Sequence, residues 1–121
     1  MKNSAQSKRR AARKLPGPAE MAQYATQAAE LLKALAHPAR LLVLCRLVEG
    51  ETSVGDLQPV VGLSMSALSQ HLATLREMKL VTTRRESQTI YYSLAEGPAI
   101  SVLDALYAAY CEPGANQATR Q

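Results

Sequence analysis

Two cysteines and two histidines are the only thiols and imidazoles in this 121-residue sequence. Cys45 lies in the run LLVLCRLVEG, and Cys111 follows 66 positions later in LYAAYCEPG. His37 precedes a proline, and His71 stands in SALSQHLATL. Thiol-based catalysis is not indicated: there is no Cys-x-x-Cys, no glycine-rich phosphate loop and no nucleophile motif, so the chain is read as a non-enzyme. A closed zinc site takes four ligands, usually nucleated by a close pair, and these residues show no such pairing. Neither a metal nor another cofactor is expected. Two readings remain for the thiols. They are inert packing, since a free cysteine behaves as a small hydrophobe, or they are a dithiol that changes state together.

The elements that must position them are mostly helical. Residues 19–36 contain no Gly or Pro, and Tyr24, Ala28, Leu31, Leu32 and Leu35 recur at helical spacing. His37-Pro38 breaks this helix, and Pro38 suits the first turn of a second one ending near Glu49-Gly50. There Leu41, Leu44, Cys45 and Val48 form an apolar stripe widened by Leu42, Val43 and Leu47, which predicts packing on several sides. Thr52 and Ser53 are cap candidates for a short helix over 54–61 that contains Pro59. Gly62-Leu63-Ser64 then makes a tight turn into a helix over 65–79, with Met65, Leu68, Leu72, Leu75 and Met78 as its buried stripe.

Residues 80–85 and 89–94, rich in Val, Thr, Ile and Tyr, read as two strands joined by a turn at 86–88. Gly97-Pro98 opens a last helix running through Tyr110, with Ile100, Leu103, Leu106, Tyr107 and Tyr110 mostly on one side. The predicted fold is mainly α with a β-hairpin wing: a winged helix-turn-helix, ordered helix, helix, helix, helix, strand, strand, helix. The first and last helices carry more apolar surface than one small domain covers, so a homodimer built on them is expected.

Charge divides unevenly. The first 18 residues hold six Lys/Arg and no acid, and the remainder holds eight Lys/Arg against ten Asp/Glu. Residues 1–18 are expected to form a disordered basic tail, either grazing DNA phosphates or simply solvated. Residues 19–112 are the expected DNA-binding and dimerisation domain, and 113–121 a frayed end. The tail lacks the apolar segment of a signal peptide, and no run of 18 apolar residues exists, so a cytoplasmic protein without a membrane partner is expected.

Within the helix-turn-helix, the second helix presents Ser66, Ser69, Gln70, Ala73 and Arg76 opposite its apolar stripe. Short polar side chains let a backbone approach base edges in the major groove of double-stranded DNA, and Gln70 can pair bidentately with adenine. Arg76, Arg84 and Arg85 are placed for phosphates or for the minor groove beside a wing.

The segments LKALAHPARLLVL, GLSMSALSQHLATLREMKLV and RRESQTIYYSL resemble the bacterial ArsR/SmtB family of winged-helix repressors over about residues 22 to 112. The resemblance implies a homodimer on a pseudo-palindromic operator that releases it when an inducer binds. It places Ser66, Ser69 and Gln70 at base-contacting positions, with Ser64, Met65 and His71 at the margin of that set. Metal-sensing members often carry Glu-Leu-Cys-Val-Cys-Asp-Leu where this chain reads ETSVGDL from Glu51 to Leu57, so Ser53 and Gly55 replace the thiols. A second family zinc site, on the last helix, would need more than Asp104, which Leu106, Gln117 and Arg120 do not supply.

The positions and spacing of Cys45 and Cys111 instead resemble the sulfide-responsive branch of the family, the BigR, SqrR and YgaV type. That likeness implies a redox-sensing dithiol at Cys45 and Cys111, bridged by sulfur when persulfide or polysulfide arrives, and control of sulfide-detoxification genes. A general thiol-oxidation sensor or a metal-responsive ArsR-type repressor are the alternatives. Apolar surroundings at Cys45 disfavour thiolate, which would keep it slow toward peroxide, whereas a persulfide is intrinsically more acidic and more nucleophilic.

Overall fold

The computed structural model describes residues 17–111. The basic tail, apart from Gly17 and Pro18, and the end from Glu112 onward lie outside the described residues. In chain order the elements are α1 (Pro18–Leu35), α2 (Pro38–Val48), β1 (Thr52–Ser53), α3 (Val54–Val61), α4 (Met65–Glu77), β2 (Val81–Glu86), β3 (Thr89–Leu94) and α5 (Pro98–Tyr110). Two compact units divide within α1, after Glu30. In the first, the helix starts at Pro18, where the Gly17 N–H donates to Glu20 Oε1 at 3.2 Å, and Met21 and Tyr24 are half-exposed.

The second unit, from Leu31 onward, is a winged helix-turn-helix. Its core is aliphatic, as a chain without Trp or Phe requires: Val43, Leu44, Leu57, Leu68, Leu72, Leu75 and Leu103 are fully buried, with Tyr92 the buried aromatic among the described residues. Predicted stripes are confirmed at their centres and corrected at their margins. On α4, Leu68, Leu72 and Leu75 are buried but Met65 is exposed. On α1, Leu35 is buried and Leu31 packs on the core, while Leu32 faces solvent.

On α2 the buried set is Ala39, Val43, Leu44 and Leu47, and Cys45 and Val48 are exposed. Helical geometry explains this. At about 100° per residue, Leu41, Cys45 and Val48 share a face roughly a third of a turn round from Val43, Leu44 and Leu47. The sequence shows two apolar faces on this helix, and the core covers one.

Each cap forms as its residue type suggests. His37 Nδ1 accepts the Ala39 N–H, Ser53 accepts the Asp56 N–H and Ser64 accepts the Ala67 N–H. Gly62 closes α3 in the left-handed region at φ 71°, which sets the helix-turn-helix angle. The sequence also hides a strand. Thr52 and Ser53 pair antiparallel with Tyr92 and Tyr91, so β3 is the middle strand of a three-stranded sheet ordered β1-β3-β2.

Helix α4 ends at Glu77, two residues before the expected Lys79, because Lys79 itself turns left-handed at φ 62°. The Leu80 N–H then donates to Leu75 O at 3.0 Å and the Lys79 N–H to Arg76 O at 2.9 Å, the paired bonds of a Schellman ending. A left-handed conformation costs a non-glycine residue on the order of 1–2 kcal/mol. Lys79→Gly is therefore expected to stabilise the domain by about 1 kcal/mol, read as a higher urea midpoint with unchanged m-value.

Candidate nucleic-acid interface and dithiol pair

The residues expected to read bases lie on helix α4 and at its N-cap. Ser64, Met65, Ser66, Ser69, Gln70 and Arg76 are exposed along it, and Leu68, Leu72 and Leu75 anchor its other side. Beside this surface runs an open groove of about 640 Å³, floored by Leu72 and Tyr92 and edged by Ser69 and Arg76 on α4, Gln88 on the wing and Ser53 before α3. A helix with short side chains, flanked by a groove and then a hairpin, has the profile to fill a major groove while the wing reaches the neighbouring strand.

His71, the next candidate on α4, is half-buried and meets His37 with ring centroids 4.3 Å apart at a 54° tilt. Burial, then the His37 ring and the Arg40 guanidinium, hold the His71 imidazole below its ordinary pKa. It sits where the start of α2 touches α4. Spacing gave no sign of this contact, because the two residues belong to separate helices.

The wing arginines, alike in sequence, part company in the sheet. In the β2–β3 register Arg84 faces Tyr91 and Arg85 faces Ile90, so their side chains leave opposite faces. Arg85 shares its face with Ile90 and Tyr92, which pack toward the core and line the α4 groove. Arg84 is on the far face, half-exposed, and makes three side-chain hydrogen bonds. Its Nε and Nη2 donate to the two oxygens of Glu51 at 3.0 and 2.7 Å, its Nη1 donates to Glu86 at 3.0 Å, and its Cζ lies over the Tyr91 ring, 4.6 Å from the centroid. The hydrogen bonds from Arg84 hold the Glu51 carboxyl below the usual carboxylate range. Glu51 was not legible as a partner, since only the β1–β3 pairing brings it near the hairpin.

The two thiols lie on neighbouring helices. α2 packs against α5, and both Cys45 on α2 and Cys111 at the C-cap of α5 are free and exposed. Partial burial raises the Cys45 pKa first, and the nearby Cys111 thiol, whose negative charge would oppose a second one, raises it further. The apolar core setting expected for Cys45 is thus not the one it occupies: its thiol lies at the surface of α2. Iodoacetamide labelling of Cys45 is expected to reach half-maximal rate above the pH seen for a free cysteine. In Cys111→Ser that midpoint should fall part of the way back, because the electrostatic contribution goes and the burial remains; peptide mass spectrometry across pH measures both.

The model of the family described as bacterial regulatory protein, arsR family, matches residues 37–83. The biofilm growth-associated repressor of Agrobacterium fabrum is 49% identical over 102 residues, covering 84% of this chain and 86% of that protein. The chain belongs to the ArsR family of bacterial regulatory proteins. Among solved structures, the repressor BigR from Xylella fastidiosa matches with a TM-score of 0.74 and 43% identity, over 80% of this chain and 99% of that one. Reduced HlyU from Vibrio cholerae matches with a TM-score of 0.73 and 45% identity, over 77% and 98%.

As a member of the ArsR family, the chain is a transcriptional regulator with a winged-helix DNA-binding fold, and its relatives are regulators, not enzymes. The segment from Glu51 to Leu57 forms strand β1, with Ser53 also capping α3, and the first turn of that helix. Among the described residues no group of three or more His, Cys, Asp or Glu is placed to hold a metal ion, and no helix is long and apolar enough to cross a membrane.

Proposed function

We propose that this ArsR-family protein is a cytoplasmic repressor that binds operator DNA as a homodimer and releases it when reactive sulfur bridges Cys45 to Cys111. The observation that carries this reading is the placement of both thiols, exposed, on two packed helices, with Cys111 near enough to Cys45 to raise the Cys45 pKa. Residues 19–112 act as the DNA-binding and dimerisation domain. A second copy covers the exposed apolar side chains, Met21, Tyr24 and Leu32 of α1 and Tyr107 and Tyr110 of α5. Ser66, Ser69 and Gln70 read bases, Ser64, Met65 and Arg76 flank them along the groove, and Arg85 meets phosphates from the wing. His71 braces α4 against α2.

The sensing step balances with one sulfane sulfur. A Cys45 thiolate attacks a terminal sulfur of an inorganic polysulfide, releasing the shortened chain and leaving a persulfide on Cys45. The Cys111 thiolate attacks the inner sulfur of that persulfide, and the outer sulfur leaves as hydrosulfide. Two thiols are oxidised to a disulfide, and one sulfur atom is reduced to sulfide. If further sulfur is retained, the bridge is a longer chain that spans a wider gap than a disulfide allows.

Either bridge ties α2 to the end of α5. α5 is part of the proposed dimer surface and α2 contacts α4 through His37 and His71, so the bridge alters how far apart the two recognition helices sit. Half-sites about 34–36 Å apart must both be met for tight binding.

Intact mass spectrometry after polysulfide treatment tests the reading. The expected product is an intramolecular cross-link, lighter by two hydrogens and heavier by whole sulfur atoms if the bridge is a chain. Two unlinked persulfides on every molecule, or linkage only between chains, would count against it. Treatment with peroxide at equal dose separates this sensor from a general thiol-oxidation sensor: release as fast as with polysulfide favours the latter.

A further inference from the structure

The proposed DNA-binding role leaves Arg84 unaccounted for. A wing arginine is ordinarily expected to touch phosphate, yet this one has its Nε–Nη2 edge filled by Glu51, a third bond to Glu86 and its Cζ over the Tyr91 ring. The cluster holds two carboxylates against one guanidinium, so its local charge is negative and repels a phosphate. Arg85, one residue on, leaves the opposite face of the hairpin beside the α4 groove and makes no ion pair among the described residues.

Glu51 lies immediately before β1, whose two residues are the only strand pairing between the hairpin and the entry to α3 among the described residues. Val81 and Tyr92 seat the base of the hairpin in the core, and beyond them the two-residue ladder is a light restraint on where the exposed part of the wing lies relative to α4. The bidentate Arg84–Glu51 pair, made 33 positions apart in sequence, adds a further, geometrically specific attachment at the same place.

Resting on the DNA-binding reading above, we propose that Arg84 is a positioning residue for operator recognition. Through the Glu51 carboxylate it anchors the wing to the segment entering α3, which fixes where Arg85 meets the phosphate backbone, and it makes no DNA contact itself. Glu51 is thus part of the recognition apparatus although it is an acid beside a polyanion.

The experiment uses the full chain and a fluorescent duplex selected by the wild-type protein from a random library. Affinity is measured across salt for Arg84→Met, Arg84→Lys, Glu51→Gln, Arg85→Ala and the Arg84→Met/Glu51→Gln double variant, with circular dichroism confirming that each folds. Arg85→Ala is expected to lower the salt slope by about one. Arg84→Met and Glu51→Gln are expected to weaken binding by roughly three- to tenfold with the slope unchanged, and the double variant to be no weaker than either single one. Arg84→Lys keeps the charge but not the fork and should behave like Arg84→Met.

Hydroxyl-radical protection at the wing-contacted flank should fade in the Arg84 and Glu51 variants, while protection over the α4 contact persists. The sign for Glu51→Gln decides most: removing an acid near DNA would by charge alone tighten binding, and the anchoring role demands the reverse. Tighter binding by Glu51→Gln, a lower slope with Arg84→Met, or undiminished affinity in Arg84→Met overturns the proposal while leaving DNA binding standing. Failure of the wild-type chain to select any duplex would instead overturn the DNA-binding reading, and the proposal with it.

Discussion

Serine at Cys45 is expected to leave duplex binding at its wild-type level and to abolish the response to polysulfide. Both halves of that result follow from where the thiol sits. Cys45 is exposed on the face of α2 turned away from Val43, Leu44 and Leu47, so replacing sulfur with oxygen opens no cavity in the core. It is also remote in sequence from every α4 residue proposed to read bases. The hydroxyl cannot take up sulfane sulfur, however, and without Cys45 the Cys111 thiol has no partner on α2. Cys111→Ser should behave in the same way.

Fluorescence anisotropy with and without polysulfide measures the effect. The wild-type chain should lose at least about tenfold in affinity, which corresponds to only about 1.4 kcal/mol between bridged and reduced states. Either serine variant should change by less than about twofold. A Cys45→Ser protein that is still fully inducible would falsify the dithiol mechanism, whatever the mass spectra of the wild-type chain show.

The second large effect is expected on the recognition helix. Gln70→Ala should weaken binding to the selected duplex by roughly 5- to 150-fold, the 1–3 kcal/mol that a bidentate amide–adenine pair is worth. Gln70 is exposed on α4 and anchors nothing in the core, so the loss should not be accompanied by lower stability. Two further readouts separate base reading from general adhesion. The salt slope should remain at its wild-type value, since no charge is removed. One A·T position in the duplex should stop mattering to the variant, while the others keep their influence. Unaltered preference at every position would assign the reading to Ser66 and Ser69 instead.

Much of this architecture is written in the helices. A 3.6-residue period needs only local sequence, and the runs from 38 to 48 and from 65 to 77 display it plainly enough to place α2 and α4 and to identify Leu44, Leu68, Leu72 and Leu75 as core. Caps are equally local, which is why Ser64 and His37 act as their residue types suggest.

What periodicity cannot do is choose between two apolar faces of one helix. α2 has both, and Cys45 falls on the one the core leaves uncovered. Nor can it show a two-residue strand. Thr52 and Ser53 pair with β3 only because the chain returns nearly 40 residues later, and that return alone brings Glu51 to Arg84. The His37–His71 contact escapes for the same reason. The candidate reading residues on α4 were therefore accessible to inspection of one segment, whereas the wing's attachment and the coupling between helices belong to tertiary structure.

The exposure of both thiols has a kinetic corollary. A reactive group sealed in a core can be modified only during transient openings, and its rate then tracks the population of partly unfolded molecules. Cys45 and Cys111 need no such opening. Their rate of sulfuration should be indifferent to the global stability of the fold: unchanged by Lys79→Gly and flat in urea up to the unfolding transition. Detection is thereby uncoupled from breathing of the protein, so a cell warming or cooling around it would shift the chemistry of sulfur transfer without shifting access to the sensor.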